Sequence, residues 1–204
     1  MPFGTRQKEP AVFKFCPACA SPKITFEDGK LFRCPACSFV YYHNIAAATA
    51  CIISVPSDSK PADGSGERIM FLVRGKEPGK GKLDLPGGFV DTGEGALEGL
   101  HRELNEEIGW TPPVPPGASM SDVYRFFGSF ANVYPYREIS YNTCDLYFSI
   151  CAPGLNEKDL VLEKAEISGI CFLKPEEINF DDIAFDSTRR AVKAYLANHG
   201  FVKS

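Results

Sequence analysis

From Gly95 onward, Leu97, Leu100, His101, Leu104 and Ile108 recur at three- and four-residue intervals, so the chain can form a helix with one stripe facing a core. Other stretches read as strands. Ile45–Val55 is an unbroken run of small and apolar residues, and Arg68–Val73 reads as its hairpin partner across a Ser-, Asp-, Gly- and Pro-rich loop at Pro56–Glu67. Ser121–Tyr134 and Asn142–Cys151, dense in aromatics, and Ile167–Leu173 predict three more strands. The Pro-rich stretch Thr111–Gly117 ends the helix. Pro175-Glu176-Glu177 begins a short helical turn, and Asp186 reads as the N-cap of a final amphipathic helix ending near Gly200. Strands, a helix, more strands and a terminal helix make the fold class α+β. Cys51, Cys144, Cys151 and Cys171 fall in apolar strand text and read as buried core thiols.

The polar face of the first helix is unusual. Glu103, Glu106 and Glu107 stand at i, i+3 and i+4, and clustered like charges each cost a solvated helix a few tenths of a kcal/mol. A divalent cation removes that conflict, and hard oxygen donors suit Mg²⁺ or Mn²⁺. Just upstream, Leu85-Pro86-Gly87-Gly88 reads as a strand ending in a glycine turn, where a backbone carbonyl can join a metal shell. Asp91-Thr92-Gly93-Glu94 fits a capping box with Asp91 as N-cap, although Glu94 can equally support the acidic site. Gly95 and Gly99 weaken a helix by about 1 kcal/mol each relative to Ala, and close packing is the expected compensation. Arg74, Lys76, Lys80 and Lys82 approach the glycine turn and are candidates to meet phosphates, or simply a solvated basic loop.

A second signal precedes all this. Cys16-Pro17-Ala18-Cys19 and Cys34-Pro35-Ala36-Cys37 are two copies of one knuckle, with 14 residues and an Asp28-Gly29 turn between them. Paired CxxC knuckles at this spacing supply Cys16, Cys19, Cys34 and Cys37 to a tetrahedral Zn²⁺. Disulfides do not suit an intracellular chain, and a redox CxxC lacks its βαβ context. The reading is a small zinc ribbon over residues 13–43, after a flexible N-terminus over 1–12. Its aromatics, Phe13, Phe15, Phe32, Phe39, Tyr41 and Tyr42, read better as packing than as a base-stacking platform, since basic residues are sparse among them. His43 reads as structural, because four thiolates already fill the metal shell.

The stretch Gly88–Trp110 resembles the signature of the Nudix hydrolases: a Gly, five residues, a Glu, seven residues, then R-E-U-x-E-E-x-G-U, with U a bulky aliphatic. Here the fixed positions are Gly88, Glu94, Arg102, Glu103, Leu104, Glu106, Glu107 and Gly109, and the one departure is the aromatic Trp110 at the last U. The resemblance implies a mixed-sheet α/β/α sandwich over residues 44–204. It implies Mg²⁺ or Mn²⁺ held by Glu103, Glu106 and Glu107 with the Gly88 carbonyl assisting, and catalysis by Glu103 and Glu106 with Arg102 orienting a carboxylate. It also implies hydrolysis of a pyrophosphate bond in a nucleoside diphosphate linked to another moiety. Glu166, just before the last predicted strand, stands where the family often places a further carboxylate. Tyr134, Tyr136 and Tyr141 fall where substrate-specific residues are expected, and equally read as a Tyr-rich strand. Ribbon-bearing NADH pyrophosphatases of the family carry S-Q-P-W-P-F-P after the box. The corresponding Ser129-Phe130-Ala131-Asn132-Val133-Tyr134-Pro135 keeps only Ser129, an aromatic and Pro135, which counts against a strict NADH preference.

Composition narrows the alternatives. With 204 residues, 44% of them hydrophobic, the chain can bury one good core beside a small module. A formal charge of −4 offers no general basic field, which favours a small nucleotide substrate over nucleic acid and counts mildly against removal of nucleotide caps from RNA. The other rival, a non-catalytic nucleotide sensor using the ribbon to hold a partner, is disfavoured by the intact box. No signal peptide or membrane-length apolar run is present, so a cytoplasmic protein is expected. The family resemblance leaves a homodimer open, and no self-complementary seam is visible in the sequence.

Overall fold

Two hydrophobic periodicities meet in this chain, and the structure, a computed structural model, shows where each is buried. It describes residues 13–56, 66–137 and 139–201; the expected flexible N-terminus and most of the expected 56–67 loop lie outside the described residues. The chain divides into two compact units, Met1–Ala46 with Val133–Asn142, and Ala47–Asn132 with Thr143–Ser204.

In the first unit, β1 (Thr25–Glu27), β2 (Leu31–Arg33) and β3 (Val40–Tyr42) form an antiparallel sheet. Side chains alternate across it, and Phe26, Phe32 and Tyr41 stand in register. Phe32 is buried, with the Phe26 ring 4.7 Å and the Phe13 ring 5.0 Å away, and Phe13 also meets Tyr41. His43 sits edge-on to Phe26 and Phe32. Packing thus accounts for Phe13, Phe26 and Phe32, whereas Phe15, Tyr41 and Tyr42 are exposed.

In the second unit, β4 (Ala46–Val55) and β5 (Arg68–Arg74) pair antiparallel at Ser54–Ile69 and Val55–Arg68. Then come β6 (Leu83–Asp84), β7 (Gly87–Phe89), α1 (Ala96–Ile108), α2 (Met120–Val123), β8 (Arg125–Tyr136), β9 (Ile139–Cys151), β10 (Ile167–Leu173) and α3 (Asp186–Asn198). The outer residues of β8 and β9 fall in the first unit. The main sheet runs β10-β5-β4-β9-β8, with β6 on β5 and β7 on β4, and a parallel bridge joins Leu83 to Ile183. Alternation on the strands divides the core in two. Cys51, Ile53 and Val55 of β4 meet Leu100, Leu104 and Ile108 of α1, while Ile52 joins Ala191, Val192, Tyr195 and Leu196 of α3. The sheet is therefore covered by a helix on each face, as the predicted α+β sandwich requires. A 13-residue helix is marginal alone, and each fully buried Leu or Ile contributes about 1.5–3 kcal/mol, which outweighs the few tenths lost to each pair of neighbouring glutamates.

Several expectations are corrected. Helix α1 begins at Ala96 with Gly95 as N-cap and Glu98 as the box acid, not at Asp91. Asp91 and Glu94 close their own turn through Glu94 N–H to the Asp91 carbonyl, and Gly93 at φ 92° ends it. The stretch after Ser119 opens with a helical turn instead of a strand, because Asp122 accepts from both Ser119 N–H and Ser119 Oγ. Gly87 and Gly88 belong to a strand rather than a turn: β7 pairs with β4, and a Cβ on Gly87 would lie 2.1 Å from the Thr49 carbonyl oxygen. Asp186 is the first residue of α3, with Phe185 as N-cap, and its carboxylate pairs with Arg189 and Arg190. Cys51 is buried and Cys144 and Cys171 are half-buried, but Cys151, at the end of β9, is exposed.

Candidate active site and metal centres

The acidic face of α1 lies beside β7. A Cβ on Gly88 would come within 2.4 Å of Glu103 Oε1, so only glycine lets the carboxylate approach the strand this closely. The Gly87 N–H donates to Glu107 Oε2 at 2.8 Å. Burial pushes the Glu107 carboxyl well above the usual carboxylate range; the Gly87 hydrogen bond opposes that rise, and the charges of Glu103, Asp84 and Glu166 add to it. Glu103 is raised for the same first reason, with Arg102 opposing and Glu106 and Glu166 reinforcing. Glu106 is the most exposed of the three.

Arg102 is the cation among them. Its Nε donates to Glu94 Oε1 at 2.8 Å and its Nη2 to Glu94 Oε2 at 3.0 Å, a bidentate fork. Its Nη1 reaches Glu103 Oε1 at 2.9 Å and Glu106 Oε2 at 3.0 Å, and its Nη2 also donates to the Phe89 carbonyl. The fork holds the Glu94 carboxyl below its ordinary range. Glu94 accepts from Asp91 N–H as well, so both roles considered for it coexist. Gly99 is also accounted for, since a Cβ there would meet Glu94 Oε2 at 3.1 Å. We expect Arg102→Lys, which cannot make the fork, to cost about 2 kcal/mol in urea unfolding and to lower kcat more than it raises KM.

Glu166 is held by its backbone, its carbonyl accepting from Gly75 N–H, and its side chain is ion-paired with Lys76. Its charge acts on both Glu103 and Glu107, so the structure brings it to the same acidic neighbourhood. Tyr134, Tyr136 and Tyr141 are not brought into that unit; all three belong to the segment Val133–Asn142 of the first unit, where Arg137 stacks over the Tyr136 ring at 5.3 Å. Two participants escaped sequence reasoning. The Gly87 N–H has no side-chain signature, and Asp84 showed only as a lone acid between two leucines near Arg74.

For a divalent ion the donor type fits, since Glu103, Glu106 and Glu107 offer hard carboxylate oxygens, but Arg102 pairs with Glu103 and Glu106, Lys76 pairs with Glu166, and among the described residues only the four cysteines bring their ligand atoms close enough together for one ion. The zinc reading has a sharper test. Cys16 and Cys37 Sγ are 3.7 Å apart, as are Cys19 and Cys34, and all four sulfurs lie within 4.8 Å of one another. A tetrahedron with Zn–S near 2.3 Å has an edge of about 3.8 Å. The four thiols are not alike: although burial raises it, the Cys34 thiol is drawn down to about 7 by the Ala36 and Cys37 backbone and by Cys16 and Cys19, whereas at Cys37 the hydrogen bond with Phe39 is outweighed by the neighbouring sulfurs and burial, which push it up to about 12.

Comparison with known proteins gives a consistent picture. The family description "NUDIX domain" matches residues 60–195. The NAD-capped RNA hydrolase NudC of Deinococcus radiodurans is 32% identical over 97 residues, 47% of this chain and 32% of that protein. An ADP-ribose pyrophosphatase of Methanocaldococcus jannaschii is 45% identical over 47 residues, 23% of this chain and 28% of that protein. The chain thus spans about a third of the length of these curated relatives. Among solved structures, a Nudix hydrolase from Nitrosomonas europaea superposes with a TM-score of 0.54 at 23% identity over 94% of both chains. The Nudix domain of Shewanella oneidensis NrtR, complexed with ADP ribose, superposes with a TM-score of 0.57 at 14% identity, over 77% of this chain and 90% of that one. These two likenesses establish the shared fold. No helix among the described residues is long and apolar enough to cross a membrane.

Proposed function

The chain belongs to the Nudix family, and on that premise we propose that it hydrolyses the pyrophosphate bond of a nucleoside diphosphate joined to a second moiety, of the dinucleotide or ADP-ribose type. The observation that carries this reading is the complete acidic face of α1, with Glu103 and Glu106 held by Arg102, Glu107 held by the Gly87 N–H, and Gly88 leaving room for Glu103. These three glutamates would hold Mg²⁺ or Mn²⁺, with the Gly88 carbonyl beside them. When bound, such an ion neutralises the diphosphate and makes a coordinated water more acidic.

The protein's own groups divide the remaining work. Arg102 fixes the Glu103 and Glu106 carboxylates and holds them to the strand through the Phe89 carbonyl. Glu166, ion-paired with Lys76, is the candidate to take the proton from the attacking water. Water adds its oxygen to one phosphorus as the bridging P–O bond breaks, and the products are a nucleoside monophosphate and the phosphorylated second moiety. The four cysteines of the first unit would hold one structural Zn²⁺. All eight cysteines are free, which suits a reducing compartment, and we assign the enzyme to the cytoplasm.

Relatives named as NAD-capped RNA hydrolases favour a second form of the same substrate class, a dinucleotide at the end of an RNA. One experiment separates these readings: phosphate-coupled hydrolysis of NADH, NAD⁺, ADP-ribose, dinucleoside polyphosphates, nucleoside triphosphates and a short NAD-capped RNA, with Mg²⁺ and then Mn²⁺. Turnover of a free dinucleotide or ADP-ribose is the expected result. Turnover of the capped RNA alone would move the assignment to the RNA-linked form. Silence across the panel, with Mn²⁺ shown to bind, would overturn hydrolysis in favour of nucleotide sensing.

A further inference from the structure

Away from the acidic face, the second unit contains a closed polar node. Arg74, the last residue of β5, donates through Nη1 to Asp84 Oδ2 at 3.0 Å and through Nε to the Pro78 carbonyl at 2.7 Å, and its guanidinium lies 4.9 Å from the Phe185 ring centre. Asp84 Oδ1 accepts from Thr188 Oγ1 at 3.1 Å and from Leu85 N–H at 3.0 Å. Tyr147 OH lies 3.1 Å from Thr188 Oγ1. The Arg74 and Asp84 side chains are each only 15% exposed. One carboxylate therefore ties the end of β5, the end of β6, the first turn of α3 and, through Thr188, β9.

The chain leaving this node has little freedom before it reaches the acidic face. Leu85 is buried, the Pro86 carbonyl accepts from Cys51 N–H at 2.9 Å, and Gly87 lies against Thr49 so closely that no side chain fits. The next polar contact is Gly87 N–H to Glu107 Oε2. Two residues, Leu85 and Pro86, separate the Asp84 anchor from the amide that orients Glu107. Without that anchor, Leu85 N–H and Thr188 lose their acceptor and the Arg74 charge is left half-buried, so the segment entering Gly87 keeps only backbone pairing, Asp84 with Leu72 of β5 and Gly87 with Ala50 of β4.

We infer that Asp84 is a positioning residue for this active site: clamped by Arg74 and Thr188, it sets the path of residues 84–87 so that the Gly87 N–H holds Glu107 in its ligating orientation. The inference rests on the reading of Glu107 as a metal-binding residue, but its geometric half, from Asp84 to the Gly87 amide, does not. A buried ion pair that served stability alone would lower the melting temperature and leave both the Gly87 amide and metal affinity untouched. The full chain is therefore compared as wild type, Asp84→Asn, Glu107→Gln and Val192→Ala, the last a core substitution in α3, one turn from Thr188, that lowers stability while removing no hydrogen-bonding group of the node. Amide exchange at Gly87 is followed in the metal-free protein, and Mn²⁺ affinity by the paramagnetic signal of the free ion.

In Asp84→Asn the Gly87 amide should exchange at least tenfold faster and the Mn²⁺ dissociation constant should rise five- to tenfold, with neither change in Val192→Ala. Wild-type values of both in a folded Asp84→Asn overturn the inference, as does an equal loss in Val192→Ala. If Asp84→Asn loosens Gly87 while Glu107→Gln binds Mn²⁺ as tightly as wild type, the metal reading fails and the structural link stands. Should Asp84→Asn not fold, Thr188→Val, which removes one donor and leaves the Arg74 pair intact, decides by the same two readouts, with about a threefold change expected.

Discussion

Glu107→Gln should reduce kcat by about three orders of magnitude while leaving the metal-free protein as stable as wild type or more so. Both halves of that result follow from one local arrangement. A glutamine is nearly isosteric, and its carbonyl oxygen can keep accepting from the Gly87 N–H that now binds Glu107 Oε2. What it removes is the charge, which burial makes unfavourable and which Glu103, Asp84 and Glu166 make more so. The sign of the pH dependence follows. The folded-state affinity of Glu107 for its proton is raised, so its stabilising contribution is complete below the ordinary carboxylate range and is lost as pH rises through the raised value. Metal-free wild type should therefore lose melting temperature as pH rises over that interval, and Glu107→Gln should lose less. Added Mg²⁺ should restore the wild type, by more at higher pH, and should barely move the variant. Thermal melts at several pH values, with and without Mg²⁺, read all of this. A variant with unchanged turnover and an unchanged Mg²⁺ response would remove Glu107 from the metal set.

The same residues show what the sequence could disclose. The spacing of Glu103, Glu106 and Glu107, and the stripe Leu100, Leu104 and Ile108, are both properties of one helix, and helical periodicity fixes which face each occupies. The identity of the three acids was legible for that reason. Their electrostatic differences were not: Glu106 is exposed while Glu107 is pressed against Gly87, and only β7, a three-residue strand with two glycines, creates that contrast. A strand so short, with so little side chain, carries no periodicity of its own, and the two glycines read as a turn. Asp84 was illegible because its partners Arg74 and Thr188 are 10 and 104 residues away along the chain. Start signals posed a further difficulty. Asp91 and Ser119 both stand three residues before an acid, yet only Ser119 opens a helical turn, because Gly93 breaks the first. Tyr134, Tyr136 and Tyr141 stand out in the sequence only by their position after the box, and their place in the other compact unit is a matter of long-range topology that no local pattern reports.

The second large effect belongs to that unit. Purified protein should contain one zinc per chain, and a strong chelator should abolish amide protection across residues 16–42 while leaving the α1 amides protected. The three strands there are each three residues long, and Phe32 is the main apolar side chain they bury. Burial of that order contributes a few kcal/mol, less than the cost of ordering some 30 residues at about 1–2 kcal/mol each for the backbone alone. A structural zinc site supplies folding free energy of its own, which so small a core lacks. The two knuckles have the same geometry: Ala20 N–H donates to the Cys16 carbonyl and Ser38 N–H to the Cys34 carbonyl, with Ala20 and Ser38 both at positive φ. Cys34→Ser should therefore reproduce chelation, since a hydroxyl is a poor replacement for a thiolate that the local hydrogen bonds already favour. Zinc content and hydrogen exchange on the full-length variant provide the measurement. Retained protection over residues 16–42 without metal would mean that Phe13, Phe26, Phe32 and Tyr41 hold the ribbon by themselves.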